Sequence, residues 1–449
     1  MPDPIFPFID IAIDSKGNIF VAGVTTSGEF PVVTAGYDTT YNGGDDVFVV
    51  KYDSELKHLL AATFIGGKSN DWSRAIYIDG QDNIYITGKS WSRDFAGGID
   101  KAFVNELVQD IGFIVQLDSS LSMIKSIAYI DNADIFAIAP GHDGTLYVAG
   151  GITSDPQAEV RALTAGFDRK YHGGMSDGFV ARYGVTGLDQ LMNFTLIGSS
   201  GVDEIIDIKV NDQNFVYLVG YAGASDFPTT SDAFDNTYNG GFTDAFVVKL
   251  DGELSTLVAS TFLGGQNIDR GHSLGIDDHD QIVVTGATES ADFPCSEVSF
   301  DNSFNGGEND MFLTVLSGDL DKIIASTFVG GSARDRGIDL VITQDNHIVV
   351  AGETSSSNFP VIGDSRTNKY SGGQTDMFLV LFDISLNYLG GSILGGKQED
   401  LMPQLALINK DVLVVGSTAS NDFPSKRTMK AVDYSQRMFD LFVSQISFK

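Results

Sequence analysis

Ile282-Val283-Val284-Thr285-Gly286-Ala287 is a β-branched run that ends on a small residue and a glycine, and the same ending recurs along the whole chain. The seven small-residue and glycine pairs are Ala22-Gly23, Thr87-Gly88, Ala149-Gly150, Val219-Gly220, Thr285-Gly286, Ala351-Gly352 and Val415-Gly416. Successive glycines lie 65, 62, 70, 66, 66 and 64 residues apart, so seven units of similar length fill the 449 residues. Such a period indicates a repeat architecture, in which each unit buries its apolar surface against its neighbours.

The fifth unit predicts four β-strands, at residues 272–277, 282–287, 310–316 and 323–329. Each stretch is rich in Val, Ile, Phe and Thr and is bounded by Gly, Asp, Asn or Pro, which is typical of short strands and turns. A four-stranded sheet of this composition has two apolar faces, and only stacking between neighbouring sheets buries both. We therefore predict an all-β fold, a seven-bladed β-propeller with four-stranded antiparallel blades.

One propeller domain is expected to use residues 1–449. The blade boundaries fall near 1–67, 68–130, 131–199, 200–265, 266–331, 332–396 and 397–449. The chain ends just after the third strand of the seventh unit, so the last blade is incomplete. Three alternatives remain open: the N-terminal residues 4–8 close the blade as a short outer strand, the blade has three strands, or a segment outside this sequence supplies the fourth.

Composition excludes several classes of partner. The net charge is −32, and such an acidic surface repels nucleic acid and anionic lipid. No run of 18 apolar residues is present, so we expect no membrane insertion. The single cysteine, Cys295, excludes an internal disulfide and is interpreted as a bystander thiol. The first residues lack the features of a secretory signal peptide, so we expect either a cytosolic protein or an excised mature domain.

Several motifs recur in fixed order. In the fourth unit they are Ser-Asp-Phe-Pro-Thr-Thr at 225–230, Ala-Phe-Asp-Asn-Thr-Tyr-Asn-Gly-Gly at 233–241, Asp-Ala-Phe-Val-Val-Lys-Leu at 244–250 and Ser-Thr-Phe-Leu-Gly-Gly at 260–265. This pattern resembles the SBBP family of bacterial and archaeal β-propeller repeats, and the resemblance covers the whole chain. It implies a domain of a large secreted or cell-surface protein, with other domains of a longer polypeptide as partners. The family has no single shared activity.

Two columns of aspartates recur, one residue per unit. The first column is a candidate cation ring at one mouth of the channel, since hard cations such as calcium prefer several oxygen ligands. Its members are Asp71, Asp134, Asp203, Asp269, Asp335 and Asp400. The alternative is that each carboxylate caps backbone N–H groups in its own inter-blade connection. The second column, two residues before a recurrent phenylalanine, is expected to accept hydrogen bonds from loop backbone. Its members are Asp46, Asp177, Asp244, Asp310, Asp376 and Asp440.

Units two and three depart from the repeat and supply the candidate binding residues. Both tryptophans belong to unit two, and unit three has an unusual charged loop. Tryptophan, arginine and carboxylates on one loop face can bind sugar or peptide. The candidate binding residues are Trp72, Trp91, Arg93, Asp155, Arg161 and His172.

No catalytic motif is recognisable in the sequence, and we predict no catalytic residue and no cofactor other than calcium. The preferred hypothesis is a non-catalytic binding or scaffold module of a secreted or cell-surface protein, which presents a loop-rich face to a protein or a glycan and serves interaction or adhesion. A second hypothesis is a polysaccharide hydrolase or lyase with paired carboxylates at the channel mouth. A third is an assembly subunit that docks through the incomplete seventh blade.

Overall fold

The structure, a computed structural model, describes residues 9–28, 30–31, 36–97, 110–156, 166–184, 187–361, 370–424 and 440–446. Its 27 strands form seven antiparallel sheets, six with four strands and one with three, which confirms the predicted seven-bladed β-propeller. Helix is confined, in these residues, to a short 3-10 turn at Phe95–Gly97. The described part of the chain therefore holds no helix with the length and apolar character needed to cross a bilayer.

The strands follow the chain from blade to blade. Blade 1 consists of β1 Asp10–Ile13, β2 Ile19–Thr25, β3 Asp46–Tyr52 and β4 Leu59–Ile65. Blade 2 consists of β5 Asp71–Ile78, β6 Ile84–Ser90, β7 Ile111–Leu117 and β8 Ile124–Asp131. Blade 3 consists of β9 Ala133–Pro140, β10 Leu146–Ile152, β11 Asp177–Tyr183 and β12 Leu191–Ile197. Blade 4 consists of β13 Asp203–Val210, β14 Val216–Ala222, β15 Asp244–Leu250 and β16 Leu257–Leu263.

The last three blades repeat the plan, except at the end of the chain. Blade 5 consists of β17 Asp269–Ile276, β18 Ile282–Thr288, β19 Asp310–Leu316 and β20 Ile323–Val329. Blade 6 consists of β21 Asp335–Ile342, β22 His347–Thr354, β23 Asp376–Asp383 and β24 Tyr388–Leu394. Blade 7 has three strands, β25 Asp400–Ile408, β26 Asp411–Thr418 and β27 Asp440–Ile446. Three strands were one of the predicted alternatives for this blade. The segment 4–8, named in another, lies outside the described residues.

The first strand of each blade is innermost, because the cavity on the propeller axis is lined by residues from the first strands of all seven blades. The loops between second and third strands and the connections between blades all lie at one end of the strands. We call this end the loop face.

Each hydrophobic core lies between two neighbouring blades. Tyr217 and Val247 of blade 4, for example, belong to one buried cluster with Leu274 and Phe312 of blade 5. The ring is closed in the same way, since Val415 of blade 7 shares a cluster with residues of blade 1. Burial of both faces of every sheet is the physical reason why the repeats must form a circle.

A phenylalanine of the third strand is buried in every blade: Phe48, Phe113, Phe179, Phe246, Phe312, Phe378 and Phe442. In six blades a phenylalanine of the long loop packs against it, with ring centroids 4.3–4.6 Å apart. These loop residues are Phe30, Phe95, Phe227, Phe293, Phe359 and Phe423. In these six blades the aromatic pair therefore fixes the start of the long loop to its own sheet.

The recurrent glycine near the end of each second strand has a steric cause. A Cβ added at Gly286 would lie 1.9 Å from the carbonyl oxygen of Arg270 on the first strand. The corresponding distances are 2.0, 1.9, 1.9 and 2.2 Å at Gly88, Gly150, Gly220 and Gly352. In these five blades the first strand has a β-bulge beside the glycine, which brings its backbone closer. Only glycine fits under that carbonyl group.

Candidate functional site

Two tryptophans contact each other on the loop face of blade 2. Their rings meet edge to face at 4.6 Å, and Trp91 is 47% exposed. Trp72 Nε1 donates to Asp45 Oδ2 at 2.8 Å, and Trp91 Nε1 donates to Asp110 Oδ1 at 2.5 Å. Lys89 Nζ lies 3.0 Å from Asp110 Oδ2. Both indole N–H groups are thus held by carboxylates, so the rings have fixed orientations while much of Trp91 faces solvent. We call Trp72 and Trp91 the tryptophan pair.

The remaining predicted binding residues lie around the loops of blades 2 and 3. Arg93 is exposed and follows Trp91 by two residues. Asp155 is exposed, and its Oδ1 accepts a hydrogen bond from the N–H of Tyr171 at 3.3 Å. His172 is the next residue. Arg161 lies outside the described residues.

His172 lies between two carboxylates, Asp168 of its own loop and Asp177 at the start of β11. Its Nε2 lies 3.3 Å from Asp168 Oδ2, and its Nδ1 lies 3.6 Å from Asp177 Oδ2. The ring is partly exposed, so it contributes a polar edge to the loop face of blade 3.

Hydrogen bonds join the loops of blades 2 and 3. Asn132 N donates to the carbonyl oxygen of Asp110 at 2.7 Å, and Asn132 Nδ2 donates to Ser154 Oγ at 2.9 Å. Asp110 is also the partner of Trp91, and Asp155 follows Ser154 directly. The structure therefore places the tryptophan pair and the Asp155 loop side by side.

Five of the six aspartates in the first column are fully buried between blades: Asp71, Asp203, Asp269, Asp335 and Asp400. Each accepts a hydrogen bond from the backbone N–H four residues earlier, at 2.6–2.8 Å. None of the five is among the residues that line the axial cavity. They do not converge on one mouth of the channel, because each is drawn into its own inter-blade connection. We call them the first-strand aspartates.

Asp134, the sixth member, is out of register with the others. Ala133 occupies the position of the first-strand aspartates, pairing with Ile152 as Asp269 pairs with Thr288. Asp134 instead receives two hydrogen bonds from Arg74, at 3.0 and 2.8 Å. The predicted ring of six is therefore not formed at this position.

The second column supplies a carboxylate to the same interfaces. Asp46, Asp177, Asp244, Asp310 and Asp376 are fully buried at the starts of their third strands. Their Oδ2 atoms accept hydrogen bonds from loop N–H groups at 2.5–2.7 Å, the arrangement expected from the sequence. Asp440, in blade 7, is exposed. We call the five buried residues the third-strand aspartates.

Burial raises the pKa values of both groups of aspartates. The pKa of Asp244 is raised to about 7 and that of Asp269 to about 6, chiefly because burial disfavours the charged form. The carboxylate of Asp269 raises the pKa of Asp244 further by charge repulsion.

The channel contains a ring of side chains that the sequence analysis missed. Each blade contributes one residue, and the ring is Asp10, Ala75, Ala137, Asp207, Ser273, Asp339 and Gln404. These residues line a cavity of about 250 Å³. A signal was present in the sequence, since the first six lie thirteen residues before the recurrent glycine and Gln404 lies twelve before it.

Polar members of the channel ring connect one blade to the next. Asp10 Oδ2 accepts the N–H of Ile76 at 2.8 Å, and Asp339 Oδ2 accepts the N–H of Leu405 at 2.8 Å. Asp207 Oδ2 accepts the N–H of Leu274 at 3.0 Å. The ring therefore joins first strands around the axis and contributes to closure.

The channel is electrostatically mixed. Burial raises the pKa of Asp10 to about 7 and that of Asp339 to about 6, while Lys209 donates to Asp207 at 2.7 and 2.8 Å. Burial lowers the pKa of His272 to about 3, so this imidazole is neutral. Its Nδ1 lies 2.6 Å from the carbonyl oxygen of Gly337.

One compact group with potential metal ligands is found in the described residues, at the turn between β17 and β18. It consists of Asp277, Asp278 and His279. Asp278 and His279 are exposed, and the three residues are consecutive, so the group is a feature of one turn.

The fold and the loop face define a β-propeller with an exposed aromatic site at one pair of blades. The family model of the SBBP β-propeller repeat matches residues 9–31 and 62–96, which confirms the family resemblance predicted from the sequence. The second matched segment includes β5, β6 and both tryptophans.

Three solved structures align with the chain at low sequence identity. A protein of unknown function from Dyadobacter fermentans is 8% identical, with a TM-score of 0.46, and the match covers 99% of this chain and 95% of that one. Hydrazine synthase from Kuenenia stuttgartiensis is 12% identical, with a TM-score of 0.42 and coverage of 76% and 74%. A luciferin-regenerating enzyme is 10% identical, with a TM-score of 0.35 and coverage of 76% and 82%. No curated protein sequence matches the chain.

Proposed function

We propose that this chain is a non-catalytic binding module that presents the loop face of blades 2 and 3 to a glycan or a protein. The tryptophan pair is the observation that carries the proposal. An indole that is 47% exposed leaves apolar surface in water, and its burial under a ligand is favourable. Exposed aromatic anchors of this kind contribute most of the binding energy in many interfaces.

The surroundings of the pair define the chemistry of the ligand. A sugar ring can stack its apolar C–H face on Trp91, while its hydroxyl groups donate to carboxylates such as Asp110 and Asp155. A peptide can place an apolar side chain on the same indole and a basic side chain near the same carboxylates. The net charge of −32 favours neutral or basic ligands over anionic ones.

The rigidity of the site supports a binding role. Trp72 and Trp91 are tied to carboxylates by their indole N–H groups, and the phenylalanine of the same loop, Phe95, is packed on Phe113. A preorganised site loses less conformational entropy on binding than a mobile loop does. We propose, on the family resemblance, that the module works outside the cell or on its surface.

Intrinsic fluorescence offers a direct test, because the chain has two tryptophans and both are in the pair. The wild-type protein should be titrated with neutral and basic oligosaccharides and peptides, and we expect a saturable change in emission with at least one of them. Trp91→Ala should weaken that binding at least tenfold, with Trp72 remaining as the reporter.

Leu60→Ala is the matched control. Leu60 is 46% exposed on the outer strand of blade 1, away from the pair, and its loss should leave the affinity unchanged. The proposal fails if no member of the panel changes the emission, or if Trp91→Ala binds as tightly as the wild type.

A further inference from the structure

Five of the seven blade interfaces contain a pair of buried carboxylates. Each pair joins a third-strand aspartate to the first-strand aspartate of the next blade. The pairs are Asp46 with Asp71, Asp177 with Asp203, Asp244 with Asp269, Asp310 with Asp335, and Asp376 with Asp400. All ten side chains are fully buried, and the two members of each pair come from different blades.

At least one oxygen of every pair lacks a hydrogen-bond donor, and the pairs with Asp269 and Asp400 have two. The Oδ1 atoms of all five third-strand aspartates are buried and have no hydrogen-bond partner. Their Oδ2 atoms are already used by loop N–H groups. A buried carboxylate oxygen without a partner costs free energy, because it has lost its water and gained nothing in return.

At two of the five interfaces the two carboxylates of the pair meet over a glycine. A Cβ added at Gly66 would lie 2.4 Å from Asp46 Oδ1 and 3.2 Å from Asp71 Oδ2. At Gly264 the same atom would lie 3.1 Å from Asp244 Oδ1 and 2.8 Å from Asp269 Oδ2. At these two interfaces the missing side chain therefore leaves the space into which both carboxylates point, and at Gly198, Gly330 and Gly395 the nearest atoms are those of the third-strand aspartate.

The interface between blades 2 and 3 is packed without a carboxylate pair, so it shows which residues are sufficient for packing. Ile111 and Ala133 occupy the two positions of the pair there, and both are buried. The fourth strand of blade 2 is followed by Asn132 and has no glycine at the corresponding place. Carboxylates and glycine are thus present together at five interfaces and absent together at this one. An apolar pair also makes a satisfactory interface, so the carboxylates serve something other than packing.

The pairs have almost no basic partners. His172 lies 3.6 Å from Asp177, and the positive charge of Arg334 lowers the pKa of Asp335, which burial raises. Two carboxylates that share a buried site without a counter-charge repel each other and lose hydration. A positive charge at the site relieves both effects.

We propose that the inter-blade carboxylate pairs are binding sites for hard divalent cations, with calcium as the matching ion. The ligands on offer are carboxylate oxygens, with the hydroxyl groups of Ser and Thr nearby, such as Ser290 Oγ at 2.9 Å from Asp269 Oδ2. Oxygen donors of this kind suit calcium and not softer metals. The ions act as bridges between blades, at up to five places around the ring.

The proposal is tested by measuring the binding of calcium, with no other ligand present. Wild-type protein is stripped with a chelator, dialysed against millimolar calcium, and analysed for bound metal and for melting temperature. We expect several calcium ions per chain, up to five, and a higher melting temperature with calcium than with chelator, because a ligand that binds the folded state stabilises it. Asp244→Asn should remove one ion from the wild-type count, and Asp310→Asn should do the same at the next interface.

Asp278→Asn is the control, since it alters the exposed acidic turn and leaves every pair intact. Its calcium count should equal that of the wild type. The proposal is overturned if the wild type binds less than one calcium ion per chain, or if Asp278→Asn loses the ion and Asp244→Asn keeps it.

The alternative is that each pair is neutralised by a bound proton and holds no cation. Evidence for this alternative would overturn the proposal. In that case calcium has no effect on melting, and Asp244→Asn raises the melting temperature above neutral pH because the amide replaces a protonated carboxyl group. If a variant does not fold, metal analysis of the wild-type protein still distinguishes bound calcium from a bound proton.

Discussion

Replacing Gly286 with alanine tests whether the recurrent glycine is required by the close approach of the first strand. The added Cβ would lie 1.9 Å from the carbonyl oxygen of Arg270 and 2.9 Å from Cε1 of Phe312. Both neighbours are held in place, the first by the bulge of β17 and the second by burial in the core. Neither can move aside without disturbing a blade interface.

Gly286→Ala is expected to destabilise the protein, although the intrinsic strand propensity of alanine alone would predict a gain in stability. Alanine in an unobstructed strand is about 0.5–1 kcal/mol more favourable than glycine. Overpacking of a rigid core costs about 1–3 kcal/mol, and a clash with backbone oxygen belongs at the upper end, about 3 kcal/mol. With an unfolding entropy of about 2.1 cal/mol/K per residue, a chain of this length unfolding as one unit loses about 3 °C of melting temperature.

Equilibrium unfolding in urea measures the loss of about 3 kcal/mol in the free energy of unfolding, and thermal melting measures the loss of about 3 °C in melting temperature. Gly390→Ala is the matched control, because a Cβ at Gly390 in β24 meets no atom within 4 Å. We expect the control to equal or slightly exceed the wild type in stability. A Gly286→Ala protein as stable as the control would refute the steric explanation of the repeat.

Three further substitutions test other parts of the structure. Phe246→Ala removes a fully buried ring from the core and should lower the free energy of unfolding by about 3–5 kcal/mol, measured by urea denaturation. Tyr217→Phe removes the hydroxyl that donates to the Gly318 carbonyl at 3.0 Å and should cost about 1 kcal/mol in the same assay. The pKa of Asp10 is raised from 3.8 to about 7, so the folded state binds more protons than the unfolded state between these values, and stability should fall as pH rises through that window. Asp10→Asn should flatten this decline by on the order of 2–4 kcal/mol, and an unchanged pH profile of unfolding would contradict the assignment.

The period of the repeat was enough to predict the architecture. Four short apolar strands per unit cannot bury both faces of a sheet alone, so seven copies predict a closed ring, and the inter-blade cores confirm it. In the fifth unit β19 and β20 have the predicted ends. The first strand, β17, begins at Asp269, three residues before the predicted start, because its bulge interrupts the alternation on which the prediction depended.

Positions that depend on register were harder to predict. A bulge adds one residue without changing composition, so the alternation of residues along a first strand does not reveal which side chains it turns toward the channel, and only their nearly constant spacing from the recurrent glycine does. This is why the ring that contains Asp10, Asp207 and Asp339 was missed. Asp134 was assigned to the aspartate column by residue type, whereas Ala133 has the equivalent strand pairing.

The departure from the repeat at blades 2 and 3 has one structural origin. Asp110 and Asp134 each lie one position away from the site of a buried carboxylate, which Ile111 and Ala133 occupy instead. A shift of one residue along a strand turns a side chain to the opposite face. Asp110 therefore leaves the interface and accepts the indole N–H of Trp91, and Asp134 pairs with Arg74. The interface between blades 2 and 3, which lacks a carboxylate pair, thus places one of its carboxylates, Asp110, beside the tryptophan pair. If the pairs hold cations that stabilise the ring, this interface has exchanged an ion for a binding surface.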